Sequence, residues 1–299
     1  MKNTRNLSLI YTLLTVLCWS TAATAIKITL FYLNPLVGVF YATLFSFLTL
    51  VVLTTFQKKW NMVGELIRNN LSRYFLLGFL NPFLYYLVLF YAYDLSWAQE
   101  AMSLNYTWSI FLTIFSVWIL HQKLKQKEII AICLSFIGVL ILTSQGKLSL
   151  STITHPKGIL LALGSALIWA TYWILNMKWG KEALCSLLIQ FGVGSFVLFI
   201  LCLVSGILFL PISLRGLFGS MYVGLFEMSI PFYFWFLALQ SAKKTIQPAN
   251  LIFLSPLLSF LLIALILKEK ILLSSVIGFI FILAGILLQT RSSVTKSNL

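Results

Sequence analysis

Polar residues interrupt this chain at regular intervals, and what lies between them is almost wholly apolar. Ten apolar runs stand out, at 7–30, 35–56, 74–93, 98–120, 128–144, 158–177, 184–208, 217–239, 246–267 and 271–290. A helix of about 20 apolar residues spans the hydrocarbon core of a bilayer. In hydrocarbon each backbone N–H and C=O must be bonded within the segment, which a helix achieves. The pattern therefore predicts an all-α integral membrane protein with ten transmembrane helices. Short connections make successive helices antiparallel neighbours and leave no stretch for a soluble domain. The first run follows two basic residues, as a signal sequence would. It is too long for one and meets Lys27 instead of a small-residue cleavage site, so it reads as a retained span.

Composition agrees with that reading. Hydrophobic residues make up 60% of the 299, charged residues 9%, and mean hydropathy is +0.98. Soluble domains carry about a quarter charged residues. A net charge of +14 points to an anionic partner, but the placement of the charges is more telling. With the N-terminus in the cytoplasm, fifteen of the 21 Lys and Arg fall inside: Lys2, Arg5, Lys58, Lys59, Arg68, Arg73, Lys123, Lys125, Lys127, Lys178, Lys181, Lys243, Lys244, Arg291 and Lys296. Five fall outside (Lys147, Lys157, Arg215, Lys268 and Lys270), and Lys27 lies within a span. This bias predicts both termini in the cytoplasm. It also lets anionic headgroups account for the basic loops, so the bilayer is the expected partner and nucleic acid is not. Cys18, Cys133, Cys185 and Cys202 show no metal or CxxC spacing, and His121 and His155 sit in polar connections. No metal or cofactor is expected.

The chain also resembles itself. Trp19 and Trp169 are 150 apart, as are Thr21 and Thr171; Gly78 and Gly224 are 146 apart; Gly138 and Gly285 are 147 apart. The boundaries expected are 1–150 for a first five-helix repeat and 151–299 for a second, ending in a short cytoplasmic tail. Five is odd, so the second repeat enters the membrane the other way up. Inverted repeats are the plan of many secondary transporters, whose substrate site lies near the midplane between the halves.

Particular residues sharpen this. They are "VLCWST" (16–21) with Lys27 eight after its Trp, Glu100 followed by Asn105, Tyr106 and Trp108, and Trp169, Ala170 and Tyr172 followed by Lys178. With these motifs the chain resembles the drug/metabolite transporter superfamily, EamA-type, over nearly its whole length. Within that group it is most similar to aromatic amino-acid exporters. Ser109 stands where that pattern has Pro, although Pro256 is present in the partner helix, and the Glu227 region departs from it. The resemblance implies ten helices around a central cavity walled mainly by the first, third, fourth, sixth, eighth and ninth. It implies a monomer in the bacterial inner membrane that exports a small metabolite by alternating access, without catalysis. An aromatic or bulky apolar amino acid is the expected cargo, a nucleoside-like, adenosyl or cationic compound the alternative, and uptake the alternative direction.

Several side chains are candidates for the cavity. Ser20, Thr24 and Lys27 form a polar stripe beside Trp19. The hydroxyls serve either a substrate or helix–helix adhesion. Lys27 either snorkels outward or pairs with Glu100 as an outer gate. Asn105 and Trp108 share a face, with Tyr106 to one side, and Trp169, Tyr172 and Asn176 form another stripe. Such rings mark either a membrane interface or a surface for a flat substrate. Tyr85 follows Pro82 in "LNPFLYY", and Asn250 follows Pro248. Glu227, eleven residues into the eighth run, is the sharpest candidate. An ionisable group at that depth binds a substrate ammonium, carries a proton, or serves as a protonated structural acid. Helix interruptions at Pro82 and Pro231 point to the same region. Gly138, Gly278 and Gly285 fit close helix packing. A membrane enzyme would cluster its acids or histidines at one face, and a channel would show rings of like charge. This sequence has neither.

Overall fold

The computed structural model describes residues 2–108, 110–112, 114–115, 126–143, 155–179, 182–207, 211–241, 251–252 and 254–294. Ser109, His121, Lys123, Lys125, Lys147, Lys181, Lys243, Lys244, Pro248, Asn250 and Lys296 lie outside the described residues. All regular structure within them is helical. The α-helices are α1 (Lys2–Leu30), α2 (Pro35–Phe56), α3 (Trp60–Gly78), α4 (Tyr85–Leu95), α5 (Ala98–Asn105) and α6 (Gln126–Thr143). They continue as α7 (Pro156–Trp179), α8 (Ala183–Val204), α9 (Leu214–Val223), α10 (Ile230–Ser241), α11 (Leu254–Leu262) and α12 (Leu273–Val294). Wide π-type turns join α3 to α4 (Phe79–Leu84) and α9 to α10 (Gly224–Ser229), and a third extends α11 (Ile263–Leu267).

Among the described residues six helical stretches are long and apolar enough to cross a membrane, and Ile129–Ile141, Leu254–Leu267 and Leu273–Leu288 are shorter apolar helices. Phe56, Val204 and Leu265 turn 82%, 80% and 71% of their surface outward. Water would not tolerate a belt of such side chains; lipid solvates it. Helix starts follow local chemistry. Asn34 accepts the Leu36 N–H at 2.9 Å and Pro35 opens α2, where its missing N–H costs nothing. Glu182 caps α8 by accepting the Cys185 N–H at 2.7 Å. Inside α1, Thr12, Thr15 and Thr29 donate to carbonyls four residues back, so their hydroxyls are satisfied without water.

One element is longer than the apolar pattern predicts. The third apolar run opens at residue 74, yet α3 begins at Trp60 and bends at Asn70 (φ −147°, ψ 29°). Val63 and Leu66 face inward while Trp60, Ile67 and Leu71 are exposed. The mixed polarity of an amphipathic segment hides it from a search for continuous apolar runs.

Packing follows a repeated plan. α1 packs on α10 and α11, while α7 packs on α4 and α5. α2 packs on α8, α6 on α12, α3 on α8, and α9 on α2. Glycines set the close approaches. A Cβ on Gly78 would lie 2.6 Å from Gln190 O and 2.8 Å from Val193 Cβ; one on Gly224 would lie 2.4 Å from Ala42 O and 3.0 Å from Phe45 Cβ. Gly138 abuts Gly278 and Ile282, and Gly285 abuts Ala131 and Ser135. These four glycine contacts thus form two pairs, Gly78 with Gly224 and Gly138 with Gly285, in each of which the partner segments are exchanged. The close-packing role expected of Gly138, Gly278 and Gly285 is what these distances show.

Candidate functional site

Pro231 organises the site. It has no N–H to offer the carbonyl one turn earlier, that of Glu227. The indole Nε1 of Trp19 in α1 donates to that carbonyl at 3.2 Å. Ser229 Oγ donates to Gly224 O (2.8 Å) and Leu225 O (3.3 Å), occupying carbonyls of the wide turn. The turn carries the Glu227 side chain, and Tyr86 of α4 donates its hydroxyl to Glu227 Oε1 at 3.4 Å. Oε2 is buried and makes no hydrogen bond among the described residues.

Aromatic rings complete a closed circuit from there. Tyr86 meets Tyr85 at 4.7 Å between centroids, and Tyr85 stacks on Trp169 of α7 at 4.4 Å. Trp169 meets Phe232 of α10 edge-on at 5.6 Å, and Phe232 meets Trp19 edge-on at 5.7 Å. Trp19 then returns to Glu227 through its indole N–H. Five rings from α1, α4, α7 and α10 therefore form a chain that begins at the Glu227 carboxyl group and ends at its backbone carbonyl. Stacked and edge-to-face pairs at these spacings are favourable beyond the area they bury. The contributing elements belong to the first, third, sixth and eighth apolar runs, four of the six that the family resemblance implied.

Polar branches leave the circuit. Tyr85 donates to Asn105 Oδ1 (3.3 Å), and Asn105 Nδ2 donates to Ser165 Oγ (2.9 Å). Tyr172 stacks on Trp169 at 5.4 Å and donates to Gln190 Oε1 at 2.8 Å, while Gln190 Nε2 reaches Asn176 Oδ1 at 3.4 Å. Tyr106 shares a 2.8 Å bond with Ser255, and Trp108 packs on the core. Trp19, Tyr85, Trp169, Tyr172, Glu227 and Asn105 thus come together as one cluster, with Tyr106 bonded to Ser255 instead. Ser20 does not join it: its hydroxyl donates to Leu17 O of its own helix.

Lys27 Nζ donates to Tyr93 O and, at 2.7 Å, to Ser96 O, the carbonyls that close α4. Helix-end carbonyls have no intrahelical donor and carry partial negative charge, so an ammonium suits them. Lys27 feels the carboxylates of Glu269, Asp94 and Glu100 from further away. Glu100 is buried in the first turn of α5. The acid that ties α5 to the second half is Glu269, which accepts Ala98 N–H at 2.9 Å and Gln99 N–H at 3.4 Å, while Gln99 Nε2 donates to Lys270 O.

The opposite end carries the ion pair Lys59–Glu182 at 2.7 Å. The Glu182 bond holds the Lys59 ammonium above its ordinary value. For Glu182, partial burial opposes the charge, but the Lys59 bond and the Cys185 N–H outweigh it and keep the carboxyl below the usual range. Among the described residues no three His, Cys, Asp or Glu side chains gather to hold a metal.

Tyr86, Phe232, Gln190, Asn81 and Glu269 escaped the sequence reading. Gln190 carried a signal, as the lone amide in its apolar run, and Tyr86 stood beside Tyr85. Phe232 had none among 25 phenylalanines.

Comparison with known proteins places this geometry. The chain matches the EamA-like transporter family twice, over residues 6–144 and 156–291. An uncharacterized transporter of Clostridium kluyveri is 28% identical, over 81% of this chain and 78% of that one. Protein PecM of Dickeya dadantii is 26% identical, over 73% of each chain. An uncharacterized transporter of Archaeoglobus fulgidus is 26% identical, over 93% of this chain and 95% of that one. A solved crystal structure shares the fold with a TM-score of 0.63 at 18% identity, over 96% of this chain and 97% of its own. A family match over both halves, on a multi-pass helical fold, decides the assignment: the chain belongs to the EamA-like transporter family.

Proposed function

We propose that this transporter exports small metabolites carrying an ammonium group and a flat or bulky apolar body, aromatic amino acids foremost, by alternating access in the bacterial inner membrane. The observation that carries the reading is the circuit of five rings closed by Glu227, whose Oε2 is buried without a hydrogen-bond partner. A bare carboxylate in such a place is costly. A cation or a proton relieves the cost, and the rings favour the cation further, since ammonium groups bind to aromatic faces. Competition between the two for one carboxylate would exchange substrate for protons. Tyr106, Trp108 and Asn250 extend the substrate wall in this reading, and Lys27, Glu100 and Glu269 belong to the outer gate.

The architecture proposed is ten spans in two inverted repeats, 1–150 and 151–299, with both termini cytoplasmic and the monomer as the working unit. The doubled family match and the partner-exchanged glycine contacts support it. Rocking one half against the other around a midplane site then follows the usual logic of such repeats. Counterflow in proteoliposomes tests the cargo, using labelled phenylalanine, tryptophan, leucine, lysine and adenosine. Exchange of the aromatic amino acids at least tenfold above the others is expected. Exchange of adenosine alone would shift the reading to the nucleoside-like alternative.

A further inference from the structure

Asn81 lies in the other wide turn, 146 residues before Glu227, the same offset that separates Gly78 from Gly224. Its backbone leaves the helix (φ −145°, ψ 121°), so the side chain issues from a break. Asn81 is fully buried, and neither Nδ2 nor Oδ1 makes a hydrogen bond among the described residues. An amide buried with both its groups unsatisfied loses the full cost of their desolvation. Such a group calls for an explanation, and a bound molecule that completes it is one.

The surroundings say what kind of molecule. The phenol of Tyr172 is a loose hydrogen-bond neighbour of the Asn81 side chain and is itself bonded to Gln190 at 2.8 Å. Gln190 is fully buried, and its amide reaches Asn176. This pole is neutral and rich in donors. From it the stack runs Tyr172, Trp169, Tyr85, with steps of 5.4 and 4.4 Å, and then through Tyr86 to Glu227. The two wide turns therefore bring an acid and a buried amide to the same set of rings, Glu227 through Tyr86 and Asn81 through Tyr172.

We infer that Asn81 is a specificity-determining residue that recognises the carboxylate of a zwitterionic substrate through Nδ2, while Glu227 takes the ammonium. This rests on the proposed ammonium site at Glu227 and adds the second pole to it. The transporter then distinguishes an amino acid from the amine made by removing its carboxyl group. A hydrogen bond to a charged group, made in the substrate complex, is the source of the discrimination.

The test compares exchange of labelled phenylalanine with exchange of labelled phenethylamine, its decarboxylated counterpart, in proteoliposomes holding the full chain. Asn81→Ala is expected to lower the phenylalanine-to-phenethylamine ratio about tenfold. Asn81→Asp, nearly isosteric and so a guard against misfolding, sets a carboxylate where the substrate carboxylate would lie. It is expected to lower the ratio further. A ratio within twofold of wild type in both variants overturns the role of Asn81. If Glu227→Gln also leaves exchange of both solutes intact, the ammonium site itself is overturned, and Asn81 with it.

Discussion

Replacing Gly285 or Gly138 by alanine probes the seam between α6 and α12. An added Cβ at 285 would lie 2.0 Å from Ser135 Oγ and 2.6 Å from Ala131 O; one at 138 would lie 2.5 Å from Gly278 O and 2.8 Å from Ile282 N. Three of these four atoms belong to the backbone and cannot rotate away, so the helices must part. Overpacking of this kind costs about 1–3 kcal/mol. Parting also breaks the Ser135 Oγ–Ile282 O bond of 3.3 Å, a further ~0.6 kcal/mol by the average for interhelical bonds in membranes. The better helix propensity of alanine offsets about 0.5–1 kcal/mol. A net loss of about 1–3 kcal/mol per site remains, and the double variant should lose less than the sum, because the first substitution already separates the helices. Thermal unfolding of purified protein in detergent reads the effect. Gly64→Ala is the control: nothing lies within 4 Å of its Cβ, so it should gain a few tenths of a kcal/mol or more. Melting of Gly138→Ala and Gly285→Ala at or above the wild-type temperature would refute the seam.

The remaining predictions concern the two ends of the bundle. A double-mutant cycle on Lys59 and Glu182, whose side chains are 35% and 20% exposed, should give a coupling of about 0.2–1 kcal/mol that weakens with salt. The Lys59 contribution is whole below its ordinary value of about 10.4 and fades as pH rises through the raised one; that of Glu182 is whole above about 4.3 and fades as pH falls through the lowered one. Unfolding measured against pH should therefore show a coupling that is flat between those limits and shrinks beyond them. Glu269→Ala strips the acceptor from the Ala98 and Gln99 N–H groups and should cost about 1 kcal/mol in the same melting assay, as loss of an N-cap does. Lys27→Met should cost about 1–3 kcal/mol by leaving Tyr93 O and Ser96 O without their donor.

How far the sequence reaches depends on what each feature is made of. Hydropathy located the spans because lipid demands continuous apolar length, and Leu7–Leu30, Pro35–Phe56 and Ala183–Val204 stand within a few residues of the runs read for them. It missed the start of α3, where an amphipathic helix mixes Glu65 and Arg68 with Val63 and Leu66. Glu227, Trp19 and Trp169 were legible because a charge or an indole at depth needs a reason. Their closure into a circuit was not, since Phe232 looks like any other apolar residue in its run. The bonds of Lys27 to Tyr93 O and Ser96 O were not legible, because sequence displays side chains only and backbone carbonyls belong to every residue. Glu269 and Glu100 sit at the same membrane face 169 residues apart, and only the packing of α5 against the connection before α12 decides which one caps it.

The central claim is that Glu227 holds the ammonium of the cargo. Counterflow of labelled phenylalanine by wild type, Glu227→Gln and Glu227→Asp, beside N-acetylphenylalanine on the wild type, tests it most directly. Loss of a charge-assisted bond worth about 1.5–3 kcal/mol predicts at least a tenfold fall for Glu227→Gln. Partial activity in Glu227→Asp and no exchange of the acetylated compound are predicted as well. Exchange by Glu227→Gln within twofold of wild type, or ready exchange of N-acetylphenylalanine, would contradict the account.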